Sequence, residues 1–536
     1  MLTKSRHVIV GMLTTIALLM LFCVLVSGHL LTANTTFNDR FTVFSLLAYL
    51  GLAIGLLGLT TLVVKLTDHY DELLKKFLWT LIILVVVGAL FIQPYAPVYD
   101  SMGVNGQVYD LLHQYPTSQW SPYFSVFPNN VPISIFMFWL DFPFRHMLKT
   151  LDDVILLHAV YGQVLMLISI YQLTKLADIV FGAKARNVLL LFYVFVPTYL
   201  MQFTQIGYSD TFALPFLVAG VRYLVEIFYQ VKSGEKATSF AKVINRQNWR
   251  QVLLAAVCLA IALFLRPNTV VALIAIVVLL LLFLWREWRL LLVLLAALTI
   301  CSFTLKQTAT ITQEKTHYQV SNDKNTKMPI ESWFLTAYYV GGRSGDEINT
   351  ITNKYTNYDQ RQAYIREKLV GKLKQLGVIG VLTTWRDKTN VLFGIKSDFG
   401  MQYFNQFRNG QDSKLQAQYH TNYDNLTPIM IHSTMMVTLT SFLSFAWLPF
   451  YLFNFYLFNK RQNESDDSST YRQRVTIILI LGIFESLSLF YILLWEVQEH
   501  YIYMMFPFLM FIGAILWSAV VNNVFNKKRR NQAFKH

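Results

Sequence analysis

The feature that most constrains this chain is a succession of apolar stretches, each about as long as a bilayer is thick, joined by short connections in which Lys and Arg gather. They fall near residues 7–27, 42–64, 77–92, 150–173, 186–204, 211–230, 251–266, 268–285, 289–305, 429–457, 475–494 and 502–521. A hydrocarbon core of about 30 Å takes roughly 20 helical residues, because lipid offers no hydrogen-bond partner to an open backbone. The stretches therefore predict an all-α polytopic membrane protein of about 12 transmembrane helices. Composition agrees, since 54% of the 536 residues are hydrophobic and only 14% are charged. A net charge of +14 suits nucleic acid in isolation, yet the basic residues sit at span ends, where topology and anionic lipid account for them. No nucleic-acid partner is expected. Cys23, Cys258 and Cys301 lie in apolar runs, which indicates neither a disulfide framework nor a Cys-based metal site. The basic start of the first stretch resembles a signal peptide, but its length and the lack of a clear small-x-small cleavage site argue for a retained span.

Twelve crossings place both termini on one side. The short connections KLTDHYDELLKK, TKLADIVFGAKAR, KSGEKATSFAKVINRQNWR, WREWR and NKRQNESDDSSTYRQR, with the terminal NKKRRNQAFKH, carry the basic excess. The positive-inside rule makes that side cytoplasmic, and the membrane is expected to be the plasma membrane. Residues 131–144, VPISIFMFWLDFPF, are too short to cross and contain two prolines and Asp141, so they predict an interfacial or re-entrant segment. Residues 93–149 then form one external loop lying on the membrane. A second external block, 306–428, is polar and long enough for a small helical domain, and its amphipathic part, YDQRQAYIREKLVGKLKQLGVIGVLTTW, suits the membrane surface. No internal repeat is evident.

This topology collects chemistry on the external face. Asp100 follows the third span in FIQPYAPVYDSMG, Asp110 lies further along the same loop, and Asp210 precedes the apolar FALPFLVAG. Glu496, Glu499, His500 and Tyr501 crowd the connection LLWEVQEHYIYMMFP, while Asn129 and Asn130 occur in YFSVFPNNVP. Arg266, in FLRPNTV, stands against the positive-inside bias and points to an anionic ligand. Tyrosines at span ends ordinarily form an aromatic belt, and a single interfacial Asp is ordinarily just solvated. What exceeds that background is the convergence of carboxylates, amides and a guanidinium from distant segments, because ionisable groups near hydrocarbon tend to be functional.

The order of these motifs resembles the GT-C superfamily of polyprenyl-phosphate-sugar glycosyltransferases, especially Gram-positive relatives of the protein O-mannosyltransferases and aminoarabinose transferases. VYDSMG is similar to that family's early external loop with a catalytic Asp, and residues 131–144 to its juxtamembrane helix. GYSDTF matches a later Asp at a span start, and YFSVFPNNVP resembles a Tyr-Pro-Asn-Asn stretch. WEVQEHYIYMMFP is similar to a late motif of Glu and an Arg-Tyr pair, with His500 standing where Arg is expected. The resemblance runs over about residues 77–521. It implies a GT-C-like bundle at 77–305, an N-terminal two-helix addition at 1–76, an external domain at 306–428, and C-terminal helices with a basic tail at 429–536.

The resemblance implies an inverting transfer of sugar from a polyprenyl-phosphate donor to a cell-envelope glycan, glycolipid or protein, with Asp100 as general base. Arg266 and His500 are then the candidates to meet the leaving phosphate, and Tyr95, Tyr99 and Tyr123 offer flat faces to the sugar. Asp210 and Glu496 would bind sugar hydroxyls, hold a divalent cation or orient Asp100; whether a metal is needed is left open. Two alternatives remain at this stage. A lipid-linked-sugar flippase or transporter should show repeats and midplane polar groups, whereas a polysaccharide polymerase or ligase would use the same compartment and a related donor.

Overall fold

The computed structural model describes residues 2–26, 43–92, 100–115, 119–202, 207–230, 248–283, 288–316, 318, 320–321, 323–339, 351, 354–393, 432–452 and 468–533. These residues are helical, with no strand among them. The chain opens with α1 (Leu2–Val26) and α2 (Val43–Ile92), followed by the short helices α3 (Asp100–Leu112), α4 (Ser121–Val126) and α5 (Val131–Asp141). Then come α6 (Leu151–Phe181), α7 (Ala183–Val194), α8 (Pro197–Gln202), α9 (Ser209–Gln230), α10 (Asn248–Leu265), α11 (Val270–Phe283) and α12 (Trp288–Lys315). After α13 (Glu331–Thr336) and α14 (Tyr358–Phe393), the helices α15 (His432–Leu452), α16 (Ser468–Leu489) and α17 (Ile502–Ala533) complete the bundle.

Among the described residues, 8 helices are long and apolar enough to cross a membrane, and α10 and α11 add two shorter apolar ones. The expected all-α polytopic architecture is therefore the one observed. The apolar stretches near 42–64 and 77–92 belong to a single helical element, α2, whose geometry breaks at Tyr70 (φ −133°, ψ 34°) within the polar connection. The stretch near 186–204 is divided before Pro197, which lacks the N–H that would continue α7 and instead opens α8. Burial separates centre from rim: 83% of the apolar window of α17 is buried, against 22% for α2 and 17% for α12, so α17 is the central helix and the other two present faces suited to lipid.

Hydrogen bonds at one end of the bundle fix the short helices. A capping box starts α6, with Thr150 Oγ1 accepting from the Asp153 N–H at 3.2 Å and the Asp153 carboxylate accepting from the Thr150 N–H at 2.8 Å. Trp139 of α5 donates its indole N–H to Thr312 of α12 at 3.0 Å, and Ser134 lies 2.8 Å from the Tyr318 hydroxyl. A short helix of this kind carries many end groups, so such side-chain bonds decide whether it holds its place. The residues between α12 and α15 build a small unit of their own around Leu335, Ile351 and Ile365. Arg361 donates to the carbonyls of Lys327 (2.9 Å) and Asn325, and Arg366 pairs with Glu331 at 2.7 Å. Gly377 (φ 58°) breaks α14 in a conformation that a side chain would strain. The second half of α14 then runs back to the bundle, where Phe393 packs on Phe442 and Phe484 with ring centroids 5.3 and 5.6 Å apart.

Candidate active site

The site is built outward from α3. Asp100 opens this helix, where a carboxylate is favoured by the exposed N–H groups and the dipole. Gly103 and Gly106 follow on the same face, and neither position has room for a larger residue. A Cβ on Gly103 would sit 3.3 Å from the Tyr123 ring, and one on Gly106 would fall 2.0 Å from the Trp120 indole nitrogen. The two glycines thus let aromatic rings lie directly on the helix that carries Asp100.

Below Asp100 is a buried polar chain. The His158 ring of α6 meets Asp141 of α5 through Nε2 at 2.7 Å and Asn105 of α3 through Nδ1 at 2.5 Å. The Asn105 amide in turn donates to the Ser101 carbonyl at 2.6 Å. All three side chains are at most 1% exposed. Buried polar groups are costly unless bonded, and bonds among them rigidify what they join. Here they join α3, α5 and α6 through Asn105, between one and two turns from Asp100.

Tyrosine hydroxyls surround the Asp100 carboxylate. The Tyr208 hydroxyl lies 3.0 Å from Asp100 Oδ2 and 3.1 Å from Asn130 Oδ1, so its single proton can serve either acceptor. Tyr123 donates to Asp100 and accepts from the Asn130 amide. Asp100 is surrounded by protein on most sides while its own surface stays open to solvent, as for a group on the wall of a recess. That crowding raises its carboxyl above the usual Asp range, and the hydrogen bonds from Tyr123 and Tyr208 and the charge of Arg266 oppose the rise.

Beside this open carboxylate lies a closed ion pair. Arg266, at the turn between α10 and α11, places Nε 3.1 Å from Asp210 Oδ1 and donates from Nη1 to Ser209 Oγ at 3.0 Å. Both charged side chains are less than 10% exposed. The guanidinium also stands 5.1 Å from the Tyr501 ring centroid. His500 Nε2 lies 3.8 Å from the other Asp210 oxygen. The Tyr501 ring stacks on Tyr491 at 4.5 Å, and its hydroxyl donates to Glu496 at 2.8 Å. Burial lifts the Glu496 carboxyl to about 7, aided by the charge of Asp100 and opposed by Tyr501, Arg266 and Lys388. Arg266 Nη2 is buried without a well-aligned hydrogen-bond acceptor among the described residues, the guanidinium being otherwise met by Asp210, Ser209 and the Tyr491 hydroxyl. An unfilled donor of this kind on a buried cation is an opening for an anionic group.

The structure brings Asp100, Tyr123, Asn130, Asp210, Arg266, Glu496, His500 and Tyr501 into one layer at one end of the bundle. Asn129 stands at its margin, exposed, and donates to Asn130 Oδ1 at 3.2 Å. Glu499 belongs to the turn Glu499–Tyr501, and its side chain, like Tyr95 and Tyr99, lies outside the described residues. Tyr208, Asn268, Tyr491 and Lys388 were not singled out by sequence. Tyr208 had a signal, since it stands two residues before Asp210; Asn268, whose amide reaches the Tyr491 hydroxyl at 3.4 Å, had only its adjacency to Arg266. Among the described residues, no group of three or more His, Cys, Asp or Glu side chains is disposed to hold a metal ion.

Comparison with known proteins adds three findings. No curated protein matches the chain in sequence. Among solved structures it is similar to the archaeal oligosaccharyltransferase AglB from Archaeoglobus fulgidus in complex with an inhibitory peptide and a dolichol-phosphate, at 12% identity and a TM-score of 0.45, covering 86% of this chain and 52% of that one. The apo crystal structure of the Archaeoglobus fulgidus oligosaccharyltransferase gives 11% identity, a TM-score of 0.42 and the same coverage of 86% and 52%. The chain thus spans about half the length of these proteins. A sequence family described as conserved hypothetical integral membrane protein matches residues 1–392, and with most of its length so matched the chain belongs to that family.

Proposed function

We propose that this integral membrane protein is a GT-C-type glycosyltransferase that moves a sugar from a polyprenyl-phosphate donor to a cell-envelope acceptor, with inversion and with Asp100 as general base. The observation that carries this reading is the pairing of an open carboxylate, held by two tyrosine hydroxyls, with a buried arginine whose Nη2 lacks a well-aligned acceptor, in one layer at the end of an apolar bundle. A displacement at an anomeric carbon needs those two things: a base to accept the proton of the attacking hydroxyl, and a cation to meet the phosphate that leaves. A carboxyl raised by crowding is the better base near neutral pH. Arg266 and His500 are assigned to the phosphate, and Asp210 to orienting both. Tyr99, Tyr123, Asn129, Asn130, Glu499 and Tyr501 are assigned to the sugars. In this reading the site lies outside the plasma membrane with both termini inside, and the block between α12 and α15 shapes the acceptor site.

The test is transfer of radiolabelled sugar from polyprenyl-phosphate-sugar to envelope acceptors by membranes carrying the native chain or Asp100→Asn at matched expression. Loss of transfer with the amide is the expected result. Equal transfer by both would remove Asp100 from the chemistry. Orientation is tested separately: a cysteine in place of Thr350 should react with an impermeant thiol reagent on intact cells, and one in place of Phe240 should not. The reverse labelling would overturn the topology.

A further inference from the structure

The polar block between α12 and α15 grips the segment that carries Glu496. The last turns of α16 widen into a π-helix, Phe490–Leu494, closed by the Trp495 N–H donating to the Phe490 carbonyl at 3.0 Å before the backbone extends at Trp495. Two carbonyls where it ends, those of Leu493 and Trp495, are taken by the block. Lys388 of α14 donates its ammonium to the Trp495 carbonyl at 2.6 Å, and the Tyr338 hydroxyl, just after α13, donates to the Leu493 carbonyl at 2.9 Å. The Trp495 ring is held as well, with Trp333 at 5.8 Å, Phe334 edge-on at 5.9 Å and Phe490 stacked at 5.2 Å. Lys388 itself is 0% exposed, and its ammonium stands 5.8 Å from the Tyr338 ring centroid.

A fully buried lysine is rare and needs a reason. A neutral donor would also bond the Trp495 carbonyl, less strongly. What only a cation supplies is a field on Glu496, the acid that acts on the Lys388 ammonium. We propose that Lys388 is a positioning residue for the site: it fixes the Trp495–Glu496 segment and sets the charge of Glu496 facing Asp100 and Arg266, so the polar block is a working part of the centre. This inference rests on the transferase reading for its catalytic meaning, though the clamp itself does not.

Burial pushes the Lys388 ammonium down to about 7, and Glu496 is lifted to about 7. Both groups therefore change charge in the same window, with the pair passing from net positive to net negative as pH rises. The other charged or titratable groups around the pair are Asp100 from α3, Arg266 from the α10–α11 turn, Tyr501, Tyr338, and the Arg386–Asp387 pair on α14 itself.

The test reads Trp495 as a local reporter. The difference in tryptophan emission between the full-length protein and its Trp495→Phe variant is titrated with pH, in the native background and with Lys388→Met or Lys388→Arg. Removing the cation leaves Glu496 harder to ionise, so K388M should move the midpoint near pH 7 to higher pH. A guanidinium stays charged, so K388R should move it to lower pH. Opposite shifts are what a merely structural lysine would not give, and K388R keeps the test alive if K388M folds poorly. An unchanged midpoint in every variant that folds overturns the proposal. Sugar transfer measured across the same pH range separates the two readings. Emission that shifts without any transfer leaves the clamp standing and counts against the transferase, whereas transfer whose pH limb ignores both substitutions counts against the role of Lys388.

Discussion

Two carboxylates of the same layer have opposite surroundings. Asp100 is open to solvent, bonded by neutral hydroxyls of Tyr123 and Tyr208, and anchored through α3 to the buried Asp141–His158–Asn105 chain. Asp210 is enclosed and faces a cation, with Arg266 at 3.1 Å and the His500 ring at 3.8 Å. A carboxylate facing a buried guanidinium is committed to neutralising it, because an unpaired buried charge is costly. One held by hydroxyls in an open recess keeps its lone pairs available for a proton. In the proposed transferase that difference would divide the labour, with Asp100 as the base and Asp210 holding Arg266 for the anion.

That division is sharpest at Asp100→Asn, which keeps the shape and removes the base. Transfer should fall by about 10²–10⁴-fold, with thermal stability nearly unchanged in a detergent melt. Asp210→Ala should do the reverse of that pattern, stranding a buried Arg266 and lowering stability by roughly 3–5 kcal/mol. Adding Arg266→Met to it should restore much of the melting temperature. If Asp210→Ala melted like the native protein, the closed ion pair would not be what holds this half of the site.

A smaller effect comes from Glu496, which belongs to both halves. Its folded carboxyl is raised to about 7 from an ordinary 4.5, so the folded state binds the extra proton and stability falls as pH rises between those values. Glu496→Gln should flatten that fall in melts taken from about pH 5 to pH 7. The mildest change is Tyr208→Phe, which removes one hydroxyl from Asp100 and should cost about 1 kcal/mol of transition-state stabilisation, roughly fivefold in transfer rate. A drop as large as that of Asp100→Asn would mean that Tyr208, not the carboxylate, is the group acting on the proton.

The legible part of this fold follows from solvent. Helices and their rough limits can be read from apolar length, because lipid forces each span to satisfy its own backbone. The joining of two stretches in α2 across Tyr70 and the division of the stretch near 186–204 into α7 and α8, each too short to cross alone, depart from that pattern. Asp100, Asp210, Arg266 and Glu496 were visible for the same reason: ionisable groups at the ends of apolar runs stand out against composition. Lys388 did not stand out, since WRDKTN reads as an ordinary polar turn of an amphipathic helix, and His158 looked like one more residue of a span.

The amino-acid sequence by itself thus determined the all-helical membrane bundle and the kinds of group gathered at its ends, since hydrophobic length and charge placement act locally along the chain. Which carboxylate is open and which is locked, that His158 joins three helices beneath Asp100, and that a buried lysine from the polar block reaches the Glu496 segment were decided only by tertiary structure. Those properties depend on contacts between groups from 17 to well over 100 residues apart in sequence. Burial and hydrogen bonding across such separations are set by packing, and no local pattern records them.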